Sequence, residues 1–527
     1  MSSEVRIVIE KVPEPPRVTE RVRAALADNH QVAARLDGAD PSRLIVTADV
    51  LGDHDDEPGA QTTAQAGAAP FRATVFDPVA NRGIELRGHL DRPEEAEVRS
   101  STRRPLPTSA EVEAAVRTLR TDARFPADAI VYRSMPPLAD VERPDGSRAR
   151  RLTLGIYRPS GTPRHRIVAV DIAAGEVDWE PAGVAAHTDG DHGDCEERLP
   201  AEVLPLRDRG GPAMVRMRVI SGGEELWNLV VVRPRDSAPA GNGSGVELRQ
   251  VRYRGRLVLR RAHVPILNVR YDDGTTFRDW QNTETRFRAV GQDPVGWGWR
   301  VCDRPPQTIL ESGTDAGAFQ GVAFYYDDDD GEVRIVSELE AGWYRYVSDW
   351  RLALDGTIKP RFGFGAIKNP MTCQRHHHHA YWRFDFDIGG SRADVVEQGH
   401  AVSGVGDEGW APITRETKRR RGAAARHWRV RDKSSGYGYR IVPGEHDGTA
   451  DAFGISDLWF LRNHPDELTD DPLMDDRAHL DAFLNGEDIA ATDVVVWYGG
   501  HFVHDQHHDP QPHQGHIVGP DLIPMVW

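Results

Sequence analysis

Four consecutive histidines stand deep inside this chain of 527 residues, in the segment TCQRHHHHAYWRFDFD at positions 372–387. Imidazole is the commonest metal-binding side chain in proteins, and aromatic and aspartate residues follow this run directly. An internal run with such neighbours raises two questions: whether it binds a metal ion, and which of residues 376–379 would do so.

The residues after the run predict a β-strand, in which alternate side chains point to opposite faces. One face is mainly apolar, and we expect it to pack into a core; it carries His376, His378, Ala380, Trp382, Phe384 and Phe386. The other face is polar, and we expect it to lie away from that core; it carries His377, His379, Tyr381, Arg383, Asp385 and Asp387. The alternation therefore selects His376 and His378 as the buried pair.

A pair of imidazoles supplies two ligands, whereas a stable metal site needs at least a third. Cys373 is a softer donor, but the alternation places it on the face of His377. Near the C-terminus a predicted strand, DVVVW, precedes a segment that holds His501, His504, His507, His508, His513 and His516. Composition does not choose among these residues. Two hydrogen-bonded core histidines, or a solvated histidine tract, are the alternatives to a metal site.

The bulk composition limits the class of protein. With 39% hydrophobic and 28% charged residues, the chain is typical of a globular protein of two to four domains. A net charge of −17 disfavours nucleic acid and anionic membrane as partners. No stretch approaches the roughly 20 apolar residues of a membrane span. The N-terminus lacks a signal-peptide pattern and there are only three cysteines. We therefore expect a cytoplasmic protein.

The order of predicted elements indicates three domains. Helical periodicity over 15–36 and strands at 43–51 and 71–78 predict an N-terminal α+β domain over 1–103. A helix capped by Ser109, followed by strands that include a hairpin with its turn at 174–175, predicts a second α+β domain over 104–235. After the flexible segment RPRDSAPAGNGSG, short alternating segments and three Asp-Gly turns predict a large antiparallel β-sandwich over 246–527.

Around the histidine run the sequence resembles the copper amine oxidase family, the topaquinone enzymes. That family carries HxH, four further residues and Arg-x-Asp; His376-x-His378 and the Arg-x-Asp at 383–385 have this spacing. The family's third copper histidine lies seven residues after a Trp that ends an apolar strand. Trp497 ends DVVVW, and His504 follows at that distance. The resemblance therefore implies copper held by His376, His378 and His504.

The resemblance covers most of the chain and is strongest from 250 to 520. It implies the family's fold, α+β N-terminal domains followed by a β-sandwich catalytic domain, and an intimate homodimer. The segment GRLVLRRAHVPILNVRYDD resembles the strand that opens the catalytic domain, and it places Tyr271 on the tyrosine that hydrogen-bonds the quinone. In FRDW, Asp279 falls near the catalytic base and Phe277 at an aromatic gate.

A second, structural metal site is also implied by the resemblance. Asp385 and Asp493 match its aspartates, with a calcium-like ion as the candidate occupant. The alternative for this pair is a simple salt bridge to Arg383.

The resemblance is weakest at the cofactor. The family converts a tyrosine within T-x-x-N-Y-D/E to topaquinone, using copper and oxygen. Tyr344 occupies the convertible position in SELEAGWYRYVSDW, but Glu340, Trp343 and Arg345 replace the Thr, Asn and acidic residues. A bulky indole and a reversed charge would alter ring orientation and substrate electrostatics. A core tyrosine is the alternative for Tyr344.

Three functional hypotheses follow. In the first, a primary-amine oxidase uses Tyr344 as topaquinone and Asp279 as base, and converts a small-molecule or peptide amine and O2 to an aldehyde, H2O2 and NH3. In the second, a quinone-less mononuclear copper oxidase or oxygenase keeps Tyr344 unmodified. In the third, a non-enzymatic protein uses the fold for binding or assembly.

Overall fold

The computed structural model describes most of the chain. The exceptions are residues 1–3, 13–17, 37–38, 41–42, 51–69, 102–104, 106, 132–140, 145, 147, 161–163, 183–209, 238–242, 314–315, 367–371, 373, 391–393, 401–408, 423–425, 465–476 and 506–515. Three of the candidate histidines (507, 508 and 513) and the candidate thiol at 373 lie outside the described residues. No helix in the described part of the chain is long and apolar enough to cross a membrane.

The described residues form short helices and many strands. The helices are α1 (Val18–Ala25), α2 (His30–Arg35), α3 (Ser109–Thr121) and α4 (Ile309–Ser312). The first thirteen strands are β1 (Val5–Lys11), β2 (Ile45–Val50), β3 (Pro70–Asp77), β4 (Arg82–His89), β5 (Glu97–Ser101), β6 (Ile130–Val131), β7 (Val141–Glu142), β8 (Arg148–Ala149), β9 (Arg151–Tyr157), β10 (His165–Asp171), β11 (Glu176–Asp178), β12 (Met214–Ser221) and β13 (Glu224–Val232).

The remaining strands belong to the region predicted as a sandwich. They are β14 (Glu247–Tyr253), β15 (Arg256–Tyr271), β16 (Thr276–Arg278), β17 (Gly291–Gln292), β18 (Trp299–Cys302), β19 (Val322–Asp327), β20 (Glu332–Ala341), β21 (Tyr344–Ala353), β22 (Ile358–Ala366), β23 (His376–Phe386), β24 (Asp394–His400), β25 (Gly409–Ile413), β26 (Thr417–Arg419), β27 (His427–Asp432), β28 (Gly438–Val442), β29 (Leu458–Arg462), β30 (Val494–His504), β31 (His516–Val518) and β32 (Asp521–Pro524).

Two small α+β units precede the large sheets. In the first, β2–β5 form a four-stranded sheet whose hydrophobic cluster includes side chains of α1 and α2. The helical pattern over 15–36 is divided into two helices, because the Asn29 side chain accepts hydrogen bonds from the amides of Gln31 and Val32 and starts α2. In the second unit, α3 packs on a sheet of β6 and β9–β11. Thr108, rather than Ser109, caps α3, in a capping box with Glu111.

Two large sheets enclose the main core. One has ten strands and runs β1-β12-β13-β14-β15-β23-β30-β29-β26, with β16 paired to β15. The other has twelve strands and runs β17-β18-β19-β20-β21-β22-β32-β28-β27-β24-β25, with β31 paired to β22. A single hydrophobic cluster contains side chains of both, so the β-sandwich expected from the sequence is present.

The ten-stranded sheet extends across the predicted boundary at residues 235–246. Strand β13 pairs with β14, and β1, from the N-terminal end of the chain, pairs with β12. Residues 5–11 and 214–232 therefore form part of the sandwich sheet, although they are distant in sequence from its centre. The sequence did not predict this, because strand pairing between distant segments leaves no local pattern.

Strand β23 is buried on both faces, which corrects the expectation of a polar face away from the core. His379, Arg383 and Asp385 expose 4% of their surface or less. A second cluster covers this face, and it includes Trp459 and Leu480 together with Tyr381, Ala478, Val495 and Trp497. The alternation within the strand identified the two faces correctly. It did not predict that the polar face is buried, because residues of other segments form the cover.

Candidate metal centre

Strand pairing brings the predicted third ligand to the first two. Strands β23 and β30 are antiparallel neighbours at the centre of the ten-stranded sheet, and their register places His376 directly opposite His504. The ring centroids of His376 and His378 are 4.7 Å apart, and those of His376 and His504 are 4.9 Å apart. Of the three candidate histidines that the structure describes, His504 is thus the one opposite the HxH pair, while His501 lies opposite His379.

The nitrogen atoms of the HxH pair fit a metal ion. His376 Nδ1 lies 2.5 Å from the Gln374 carbonyl oxygen, so it carries the proton and leaves Nε2 with a free lone pair. That Nε2 atom is buried without a hydrogen-bond partner among the described residues, as are both nitrogen atoms of His378. A buried imidazole normally finds a partner, and a bound cation would supply one here.

Burial keeps both imidazoles of the pair neutral at neutral pH. It lowers the pKa of His376 to about 4 and that of His378 well below its usual range. Neighbouring histidines, including His516, lower both values further. Neutral imidazole is the form that binds metals, so the site requires no deprotonation near pH 7.

Phe364 on β22 lies among the imidazoles. Its ring centroid is 4.1 Å from that of His378 and 5.3 Å from that of His504. Among the described residues, the group whose ligand atoms all lie within 4.8 Å of one another is Glu416, His464 and Glu487. The ligand atoms of the three histidines are therefore farther apart than those of that group. Phe364 contacts both His378 and His504.

Tyr344 lies against the histidine pair. It begins β21, and its ring centroid is 5.4 Å from that of His378 and 5.7 Å from that of His376. The side chain is buried, and its hydroxyl has no hydrogen-bond partner among the described residues. Burial raises the pKa of Tyr344 well above its usual range. The phenol is therefore protonated and lies beside both imidazoles of the HxH pair.

The unusual neighbours of Tyr344 have partners of their own. Trp343 packs edge-on against His165 of β10, with ring centroids 5.8 Å apart. Arg345 donates hydrogen bonds to the carbonyl oxygen atoms of Gly342 and Tyr344, at 3.1 and 2.9 Å. Its guanidinium also lies 3.6 Å from the Glu340 carboxylate. The Arg345 guanidinium thus interacts with groups of its own hairpin.

The remaining predicted site residues surround the same place. The Tyr271 ring lies 4.8 Å from that of His376, and Phe277 packs edge-on against Tyr271 at 6.0 Å. Asp279 is fully buried and accepts a hydrogen bond from the hydroxyl of Tyr346. Tyr271 contacts His376 through its ring. The hydrogen bond between Tyr346 and Asp279 was not predicted from the sequence.

Asp385, on β23, and Asp493, immediately before β30, form a second polar cluster. The Asn463 side-chain amide donates to both carboxylates, at 3.3 and 3.1 Å, and Arg383 donates to Asp385 at 3.3 Å. One oxygen of each carboxylate is buried without a hydrogen-bond partner among the described residues. Burial, then the charge of Asp385, raises the pKa of Asp493. Free carboxylate oxygens that repel each other suit a hard cation.

Two histidine clusters were not predicted from the sequence. On the second face of β23, the Nδ1 atoms of His379 and His501 are 2.8 Å apart, and His501 Nε2 lies 3.3 Å from Asp457. Next to the HxH pair, His516 packs against His504 with ring centroids 5.6 Å apart. The pairing of His379 with His501 could have been found from the strand register, but only once β23 and β30 were known to be neighbours.

The overall fold is that of the copper-containing amine oxidases. Solved structures that share it include a copper-containing benzylamine oxidase from Hansenula polymorpha (TM-score 0.55, 12% identity, 87% of this chain and 88% of that chain), the lysyl oxidase of Pichia pastoris (0.54, 12%, 100% and 92%), and an amine oxidase of Aspergillus nidulans (0.53, 14%, 99% and 91%). No protein-family model and no curated protein matches the chain. At this identity the likeness concerns the fold.

Proposed function

We propose that this chain is a copper-dependent oxidoreductase that deaminates a primary amine to an aldehyde, with O2 as oxidant and H2O2 and NH3 as further products. The observation that carries the proposal is the position of the buried Tyr344 ring, 5.4 Å from the ring of His378 and 5.7 Å from that of His376. Both imidazoles have nitrogen atoms without hydrogen-bond partners among the described residues. The shared fold supports the same reading.

In this proposal His376, His378 and His504 hold the copper ion. Copper with oxygen would supply the oxidising power that converts the Tyr344 ring to topaquinone, the carbonyl electrophile for the amine. The chain's own residues exclude water and hold the reacting groups. Tyr271 covers one side of the His376 imidazole. Tyr344 exposes only 4% of its surface, which would keep the electrophile largely from solvent.

Asp279 is the proposed general base. It would take the proton from the carbon next to the amine nitrogen, a task that typically contributes about 10²–10⁴-fold to the rate. Tyr346, whose ring centroid lies 6.0 Å from that of Tyr344, fixes the Asp279 carboxylate through its hydroxyl. Because burial raises the pKa of Tyr346 well above its usual range, this hydroxyl remains a donor across the working pH range.

We further propose a calcium-like ion at Asp385 and Asp493, a homodimer, and division of the chain near residues 103 and 235–246. The free carboxylate oxygens support the ion. The separate hydrophobic clusters of the two α+β units support the division, with β1, β12 and β13 assigned to the sandwich.

A quinone-less copper oxidase or oxygenase is the second candidate. It is favoured by the crowding of the Tyr344 ring, which meets Phe364 edge-on at 5.1 Å. This packing would restrict the rotation of the ring that a converted cofactor needs in order to face a substrate. In that case Tyr344 would stay a phenol beside the copper ion.

One experiment separates the candidates. The protein is loaded with copper in air, and its visible spectrum is recorded with and without phenylhydrazine. The mass of the peptide that contains Tyr344 is then measured by mass spectrometry. A quinone band, a hydrazone adduct and an oxidised Tyr344 are the expected results, and Tyr344→Phe should abolish all three. Bound copper with an unmodified Tyr344 would replace the first candidate with the second. Absence of tight copper binding would refute both.

A further inference from the structure

We propose that a cavity between the two α+β units and the sandwich binds a small organic monoanion, such as a carboxylate on an apolar body. The cavity has a volume of about 950 Å³. It is lined by residues 44–47 of the first unit, the start of α3 in the second unit and Asn282 of the sandwich region. None of the residues proposed for the metal centre or for amine oxidation is among the described lining residues, so this site is separate from the proposed active site.

The size and the walls of the cavity are typical of a small-molecule site. Such sites have volumes of about 300–1,000 Å³, are mainly apolar and occur preferentially at domain interfaces. Leu44 and Val46 belong to the hydrophobic cluster of the first unit, and Leu152 belongs to that of the second. The apolar side chains that line the cavity include Leu44, Val46, Pro78, Pro105, Leu152 and Ile172. The apolar body of a ligand would therefore contact side chains that both units hold in place.

The charge of the lining is opposite to that of the chain. The chain carries a formal net charge of −17. In contrast, the charged residues among the described lining residues are Arg23, Arg43, Arg150, Arg235 and Glu111. An excess of guanidinium groups around a concave site raises the local concentration of anions. The lining therefore favours an anionic ligand, and it disfavours the amine substrate proposed for the metal centre.

Two of the four arginines bind neighbouring carboxylates and hold the walls in place. Arg150 Nε lies 2.8 Å from the Glu111 carboxylate, and its guanidinium lies over the Phe76 ring at 4.7 Å. Arg235 Nε lies 2.9 Å from the Asp236 carboxylate. Because Phe76 belongs to β3 and Glu111 to α3, Arg150 links the two units. These contacts form the cavity without a ligand, which reduces the ordering that binding requires.

Arg23 and Arg43 are the groups that would recognise the anion. Among the described residues, Arg23 donates to the Leu44 carbonyl oxygen at 2.9 Å, and Arg43 donates to the Asp77 carboxylate at 3.2 Å. A guanidinium has five N–H donors in a planar fork, so both side chains have donors left for a carboxylate. The hydrogen bond of Arg23 goes to a neutral carbonyl, which leaves its charge to a ligand with a single negative charge.

The exposure of these two arginines indicates how the ligand would bind. Arg23 is exposed, and the Arg43 side chain exposes 38% of its surface. The anionic group would therefore lie at the mouth of the cavity, and the apolar body would fill the interior. In this orientation the anionic group keeps part of its hydration, so binding avoids the large penalty of burying a charge.

The test uses the full chain without added metal and two fluorescent probes that share an apolar body. Anilinonaphthalenesulfonate carries one negative charge, whereas phenylnaphthylamine is neutral. Wild type is compared with Arg23→Gln/Arg43→Gln, which removes the proposed recognition groups, and with Ala114→Trp, which fills the cavity from α3. Arg92→Gln/Arg117→Gln is the matched control, because it removes the same charge at two exposed arginines outside the described lining.

We expect wild type to bind the charged probe at least about tenfold more tightly than the neutral probe. Arg23→Gln/Arg43→Gln should bind the two probes equally, folded Ala114→Trp should bind both at least about tenfold more weakly, and the control should match wild type. The proposal would be overturned if wild type bound neither probe or both equally, if the control lost the same preference, or if Ala114→Trp bound as wild type does. Because no copper is present, these outcomes do not depend on the proposed oxidase activity.

Discussion

The hydroxyl of Tyr346 donates a hydrogen bond to the carboxylate of Asp279, and both side chains are buried. Tyr346 lies two residues after Tyr344 on the same face of β21, with ring centroids 6.0 Å apart. One strand therefore carries both the tyrosine proposed for conversion and the tyrosine that holds the proposed base. This link connects the proposed cofactor on β21 to the proposed base, which lies 67 residues earlier in the chain.

Asp279→Asn should lower the rate of amine oxidation by about 10²–10⁴-fold, because the amide keeps the shape of the side chain but cannot accept the proton. Copper content, measured by mass spectrometry of the metal, should stay at the wild-type level. Tyr346→Phe is the companion variant. It leaves the buried Asp279 without this donor and should lower the free energy of unfolding by about 1–3 kcal/mol. Unchanged turnover in Asp279→Asn would remove Asp279 from the mechanism.

The loss of copper binding should depend on which histidine of the run is replaced. His378→Ala should weaken copper binding by more than about 100-fold, beyond the effect of losing an outer-shell partner. The reason is that it removes a proposed ligand, whose two nitrogen atoms lack hydrogen-bond partners among the described residues. His377→Ala is the matched control, since its side chain points to the other face of β23, near Asp451. The measurement is copper retained per chain after dialysis against a weak chelator. Equal losses in the two variants would contradict a site built on the HxH pair.

Calcium should stabilise the protein through Asp385 and Asp493. A concentration 100-fold above the dissociation constant should add about 2.7 kcal/mol to the free energy of unfolding, measured by urea titration with and without calcium. Asp493→Ala should abolish this increment, whereas Asp329→Ala, at an exposed turn, should keep it. If the salt bridge to Arg383 alone satisfies the pair, calcium will have no effect on the wild type.

The contribution of Asp394 to the stability of the folded chain should fall as the pH rises from about 4 to about 8. Burial raises the pKa of this carboxyl from 3.8 to about 8, with smaller contributions from neighbouring aspartates. Between these values the unfolded chain releases the proton and the folded chain keeps it, so ionisation favours unfolding; each pKa unit corresponds to about 1.4 kcal/mol. Asp394→Asn should therefore gain stability over the wild type as the pH rises, in urea titrations at pH 5, 6, 7 and 8. A constant difference across this range would disprove the assignment.

Much of the local organisation could be read from the sequence. The two-residue period of a strand places His376 and His378 on one face, and the same period correctly separates them from His377 and His379. Asp-Gly turns at 273–274, 330–331 and 355–356 fall between consecutive strands of the structure, because glycine readily adopts the positive φ these turns use. Such features depend on residues that are neighbours in the chain.

The tertiary structure decided the features that depend on distant segments. Burial of His379 and Asp385 results from a cover that includes Leu480, about 100 residues away, so the polar type of these side chains gave no indication of it. The position of His504 opposite His376 follows from the pairing of β23 with β30, and that of His516 follows from the pairing of β31 with β22. The sequence by itself determined which side chains share a face of a strand, since that period is local. Only the tertiary structure decided which strands meet, and hence which of the many histidines surround the proposed metal.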